Sequence, residues 1–118
     1  MRTILVISQA VVICAMFTLT ASAQITVYIA GDSTAANKTA DRRPETGWGE
    51  MPGRRFKLGT VKVDNRAMNG RSTTSFIAEG RWKALIESVS KGDYVFIQFG
   101  HNDQKKDKPG VYAPPEQY

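Results

Sequence analysis

The chain has 118 residues and a formal net charge of +5, from 16 Lys and Arg against 11 Asp and Glu. Its basic residues are scattered apart from Arg54-Arg55-Lys57 and Lys105-Lys106-Lys108. No basic stripe interleaved with aromatics and no recognition motif is present, so no nucleic-acid partner is expected. The single cysteine, Cys14, excludes an internal disulfide and a thiolate metal site.

In chain order, Met1-Arg2 opens with a positive charge, and Ile4 to Leu19 is an apolar run interrupted only by Ser8, Gln9 and Thr18. Ala21-Ser22-Ala23 follows with the small residues a signal peptidase accepts. Residues 1–23 are therefore expected to be a cleaved secretory signal and not a membrane anchor, because a bilayer span needs ~20 apolar residues. Residues 24–118 are left as one small domain, secreted or periplasmic, with no membrane association after cleavage.

Ile25 to Ala30 is β-branched and almost continuously apolar, then stops at Gly31, which predicts a strand covered on both faces. Residues 34 to 46 read as loop. A short helix is expected from Trp48 to Leu58, with Pro52 and Gly53 against it. Val61 to Asn65 alternates apolar and polar, as a strand near a sheet edge does. After a loop through Gly70, the residues Trp82, Leu85, Ile86 and Val89 fall at helical spacing, with Gly92 placed to end that helix. Asp93 to Phe99 predicts another strand, nearly unbroken in its apolar run and ended by Gly100.

Strand–helix–strand–helix–strand predicts a parallel α/β sheet with helices on both faces. The apolar patterns imply strand order 2-1-3, with 25–30 in the middle. That order leaves one side of 94–99 unpaired, and so apolar a strand is poorly suited to a solvent-facing edge. The chain thus reads as the N-terminal part of a larger domain.

Three motifs follow the three predicted strands: Gly31-Asp32-Ser33-Thr34, Asn69-Gly70-Arg71-Ser72 and Gly100-His101-Asn102-Asp103. Parallel sheets bind ligands outside the carboxyl ends of their strands. A serine hydroxyl, a glycine N–H and an asparagine amide meeting there would form a nucleophile with an oxyanion hole. Singly, each has an ordinary alternative: Ser33 as a cap, Asn69-Gly70 as a simple turn, Asn102 as a turn residue bonding its own backbone. His101 is the one histidine, but adjacent extended residues point different ways, which argues against its serving as a base beside Asn102. Trp82 fits the helix's apolar stripe and is expected in the core.

Taken together and in this order, the three motifs resemble the first three blocks of the SGNH (GDSL-type) hydrolases. Further agreement in Gly47-Trp48-Gly49-Glu50, Glu79-Gly80-Arg81-Trp82 and 92–105 is similar to the rhamnogalacturonan acetylesterase branch. The resemblance implies a three-layer α/β/α flavodoxin-like SGNH hydrolase fold with a parallel sheet, present here as its first three strands. It implies Ser33 as nucleophile, and the N–H groups of Ser33 and Gly70 with the Asn102 amide as oxyanion hole. It further implies acetylated pectin-type polysaccharide as substrate, and no metal or other cofactor. The carboxylates of such a polymer suit cationic partners, which makes Arg71 and the Lys105-Lys106-Lys108 cluster candidate substrate contacts, with solvated surface charge as the ordinary alternative; His101 is left a structural or substrate-contacting role.

The family's C-terminal D-x-x-H, which would supply the catalytic base and its orienting aspartate, does not occur in these 118 residues. These residues alone are therefore expected to be inactive. The alternatives are a GDSL lipase or general esterase on the same fold, and a carbohydrate-binding remnant without catalysis.

Overall fold

The computed structural model describes residues 24–118; the expected signal segment, 1–23, lies outside the described residues. Three parallel strands form one sheet: β1 (Ile25–Gly31), β2 (Val61–Asn65) and β3 (Tyr94–Gln98), in the order β2-β1-β3. β1 is central, and Val27 to Gly31 are buried along it. Ile25 stands opposite Val61 and Ile29 opposite Asn65, whereas Gly31 stands opposite Gln98. All three strands run the same way, so the motifs that follow them emerge at one end of the sheet.

Side chains alternate across a strand, and β1 divides accordingly between two small cores. On one face Tyr28 and Ala30 pack with Phe76 and Leu85, joined by Trp82, Val89, Val95 and Phe99. The Phe76 and Phe99 rings meet edge to face at 5.2 Å. On the other face Ile29 packs with Ala35, Ala36 and Ala67, against Val63. Trp82 thus belongs to the core, as its spacing implied. Along β3, Tyr94, Phe96 and Ile97 are exposed.

The helices differ from the sequence-based expectation. Residues 48–58 do not form one helix but two 3-10 turns, Trp48–Glu50 and Pro52–Arg55. The backbone here presses against the loop after β1. A Cβ on Gly47 would lie 2.0 Å from the Ala36 carbonyl oxygen, and one on Gly49 would lie 2.4 Å from Asn65 Nδ2. The Trp48 and Gly49 N–H groups donate to the Thr34 and Ala35 carbonyls, and Pro52 has no N–H to extend a helix.

Between β2 and β3 two short helices stand where one was expected: α1 (Thr73–Ala78) and α2 (Arg81–Ile86). Ser72 caps α1 by accepting the Ser75 N–H at 3.2 Å. Gly80, at φ +72, turns the chain between them. α2 ends at Ile86, before Val89, where the ladder tightens: the Ser88 and Val89 N–H groups donate to the Leu85 and Ile86 carbonyls three residues back, the Ser88 hydroxyl donates to the Ala84 carbonyl (2.9 Å), and the Tyr28 hydroxyl donates to the Ser88 carbonyl (2.8 Å).

Candidate active site

The first loop leaves β1 through Asp32, which is fully buried. Its Oδ1 accepts the Thr34 N–H at 2.9 Å and the Thr34 hydroxyl at 2.8 Å, while its carbonyl accepts the Ala35 and Ala36 N–H groups. Asp32 thereby closes a tight turn on itself, with half-buried Ser33 at its bend. The Ser33 carbonyl accepts the Lys38 ammonium, which also pairs with Glu45 at 3.1 Å. No described group is hydrogen-bonded to the Ser33 hydroxyl.

The second loop is tied to the first by the Met68 N–H, which donates to the Gly31 carbonyl at 3.0 Å. Ala67 is buried beside it, its own N–H donating to Asn65 Oδ1 at 3.1 Å. Gly70 follows at φ +75, a conformation glycine adopts without strain, and a Cβ there would meet nothing within 4 Å. Among the hydrogen bonds of the described residues, none uses the backbone N–H of Ser33 or of Gly70. Both donors therefore remain open to an incoming acceptor.

The third loop is stapled to the second at adjacent residues. Asn102, 2% exposed, donates from Nδ2 to the Arg71 carbonyl at 2.9 Å. Lys105 Nζ donates to Asn102 Oδ1 at 2.6 Å. An ammonium can only donate, so it fixes which side of the amide carries oxygen and leaves the second N–H of Nδ2 unclaimed. Asp103, 3% exposed, accepts the Thr73 N–H at 2.8 Å and the Thr73 hydroxyl through Oδ1, and the Gly100 N–H at 3.0 Å through Oδ2. Sequence reading singled out Asn102 but gave Asp103 no part. Its role as the bridge between β3 and α1 depends on residues thirty positions away.

The first and third loops meet at Gln98, whose side chain lies against the Thr34 hydroxyl and reaches Asp32 Oδ2 at 3.5 Å. Gly31 makes this approach possible, since a Cβ there would come within 2.9 Å of the Gln98 carbonyl oxygen.

Two further sequence candidates sit at the margin. The Arg71 guanidinium is held by the Glu79 carboxylate at 3.1 and 3.2 Å and donates to the Asn69 carbonyl. Glu79 is also paired with Arg81, and both arginines keep its carboxyl below the ordinary value. His101 is exposed, and no hydrogen bond joins its ring to a described residue. Lys105, read as part of a surface cluster, is engaged by Asn102 instead.

Strand order 2-1-3 with three loops joined at the carboxyl end of the sheet defines an α/β protein of the flavodoxin-like kind, with its candidate site at the strand-end rim. The chain is 45% identical over 94 residues to the rhamnogalacturonan acetylesterase RhgT of Bacillus subtilis (strain 168), covering 80% of this chain and 40% of that protein. It is 42% identical over 78 residues to the rhamnogalacturonan acetylesterase of Emericella nidulans, covering 66% of this chain and 28% of that one. Its fold matches the crystal structure of the Bacillus subtilis protein YXIM with a TM-score of 0.65 and 30% identity, over 71% of this chain and 24% of that chain. No protein-family profile matches it.

The chain belongs to the rhamnogalacturonan acetylesterase-like SGNH hydrolases. It spans 40% or less of the length of these two curated relatives.

Proposed function

We propose that this chain carries the nucleophile and oxyanion hole of a secreted or periplasmic carbohydrate esterase that removes acetyl groups from rhamnogalacturonan-type pectin. The observation that carries the reading is the set of hydrogen bonds joining the three strand-end loops, Met68 to Gly31 and Asn102 to Arg71, around two unclaimed backbone N–H groups.

In this reading the Ser33 hydroxyl oxygen attacks the acetyl carbonyl and loses its proton to a base. The oxygen that becomes negative accepts the N–H groups of Ser33 and Gly70 and the remaining N–H of Asn102 Nδ2. Donors held in place before reaction stabilise that charge without reorganising. Collapse expels the sugar hydroxyl and leaves acetyl-Ser33. Water attack then releases acetate and restores the serine, so one ester and one water become one alcohol and one acetate.

The base is assigned to none of these residues. His101 neighbours the oxyanion donor Asn102, and with Arg71 it borders the path of the polysaccharide. No organic cofactor or metal enters the scheme. Without a base, these 118 residues retain only the modest rate that an oxyanion hole and binding supply.

The test is acetate release from acetylated rhamnogalacturonan by the protein expressed from its natural reading frame. Ser33→Ala is expected to lower kcat by about a millionfold, the scale on which a triad serine matters. Equal release by both proteins refutes Ser33 as nucleophile. Faster turnover of long-chain acyl esters than of the acetylated polysaccharide replaces this substrate with a lipase-type one.

A further inference from the structure

A polar groove of about 460 Å³ opens beside the Ser33 turn, on the β2 side. That is within the ~300–1,000 Å³ range of small-molecule sites. Its wall is shared with the candidate site: Lys38 lines the groove while its ammonium holds the Ser33 carbonyl. We infer that this groove is a subsite for a uronate ring of the polysaccharide, with Arg54 as the ligand of its carboxylate. The inference rests on the polysaccharide esterase reading above and assigns that substrate a charged contact.

Charge accounting inside the groove singles out Arg54. Lys38 is neutralised by Glu45 at 3.1 Å, and Arg43 by Glu50 at 2.7 Å. Glu50 Oε1 also accepts the Lys38 and Gly47 N–H groups at 3.0 Å each. The Arg43 guanidinium and these N–H donors keep the Glu50 carboxyl ionised, with its pKa lowered to about 2. Arg54 lines the same groove and makes no ion pair among the described residues. One uncompensated guanidinium remains, and its planar fork matches a carboxylate.

The other groups facing the groove suit a sugar. Asn65 Nδ2 donates to Asn37 Oδ1 at 2.8 Å, which leaves the Asn37 NH₂ group unclaimed by any described residue. Amide donors of this kind pair with ring hydroxyls. Gly53 and Val63 complete the lining. Two cations outside the groove, Arg71 and Lys105, are engaged by Glu79 and Asn102. Within this groove the acid-recognising role falls to Arg54, the one lining cation without a carboxylate partner among the described residues.

The experiment is calorimetric titration of the full chain with trigalacturonate and with its fully methyl-esterified form. Arg54→Gln is expected to weaken trigalacturonate binding about tenfold, the scale of a lost charge-assisted hydrogen bond. Arg55→Gln, an exposed neighbour outside the groove, is expected to change it less than twofold. The esterified ligand should bind the parent protein as weakly as trigalacturonate binds Arg54→Gln.

Three results overturn the inference: no binding by the parent chain, unchanged binding by Arg54→Gln, or an equal loss with Arg55→Gln, which means diffuse attraction. Acetate release is scored separately. If binding behaves as expected but Ser33 proves dispensable for acetate release, the esterase reading fails while the subsite stands.

Discussion

Asp103 offers the sharpest test of how the rim is assembled. Asp103→Ala removes one carboxylate that accepts the N–H groups of Thr73 (2.8 Å) and Gly100 (3.0 Å) and the Thr73 hydroxyl. The Thr73 hydroxyl can turn to water, but the two partly buried N–H groups keep their directions and lose their acceptor. A stranded donor costs roughly 1–3 kcal/mol, and a bond to a charged acceptor falls in the same range. With both N–H groups only half-buried, the low end applies, giving a loss of about 2–4 kcal/mol. A domain of this size is stabilised by roughly 5–15 kcal/mol, so the loss is a large fraction of the total.

The assay is urea unfolding at neutral pH, followed through Trp82, which packs in the core that α1 completes. For a slope near 1.5 kcal/mol per molar urea, the midpoint should fall by about 2 M. Thr73→Val keeps the backbone N–H and removes only the hydroxyl bond, so it should cost less than Asp103→Ala. A midpoint shift corresponding to less than about 0.5 kcal/mol refutes the view that Asp103 joins β3 to α1.

Two further outcomes are expected. Asn102→Ala should lower kcat for acetate release by about 10²–10³-fold with little change in KM, as loss of one oxyanion donor does; a change confined to KM removes Asn102 from the oxyanion hole. Glu50 tests the pH dependence. Its folded-state pKa of about 2 lies below the ordinary 4.5, so the stability it contributes is present above about pH 4.5 and disappears as pH falls toward 2. The Tm advantage of the parent over Glu50→Gln should therefore narrow across that window, and a constant difference contradicts the assignment.

What could be read from sequence was what one-dimensional pattern carries. The β-branched run of Ile25 to Ala30, the alternation of Val61 to Asn65 and the apolar stretch before Gly100 specify three strands. The contrast between continuous and alternating patterns also ordered them, because a strand buried on both faces must lie between others. The three motifs were legible for the same reason: each follows directly on a strand, and a parallel sheet delivers strand ends to one rim.

Tertiary contact decided the rest. The Trp48–Leu58 segment yields to 3-10 turns because Gly47 and Gly49 must press against the Ala35–Ala36 backbone. The segment just past α2 is tied to the sheet by Tyr28, 60 residues earlier, whose hydroxyl donates to the Ser88 carbonyl. α1 is six residues long, too short to show helical periodicity, and is positioned by Ser72 and Asp103. Lys105, part of a basic cluster by sequence, is drawn into fixing Asn102, and Arg71, a candidate substrate contact, pairs with Glu79. Arg54 is set apart by charge only because every other cation lining its groove has found a carboxylate. Such pairings join residues distant in sequence, and only the closed chain brings them together.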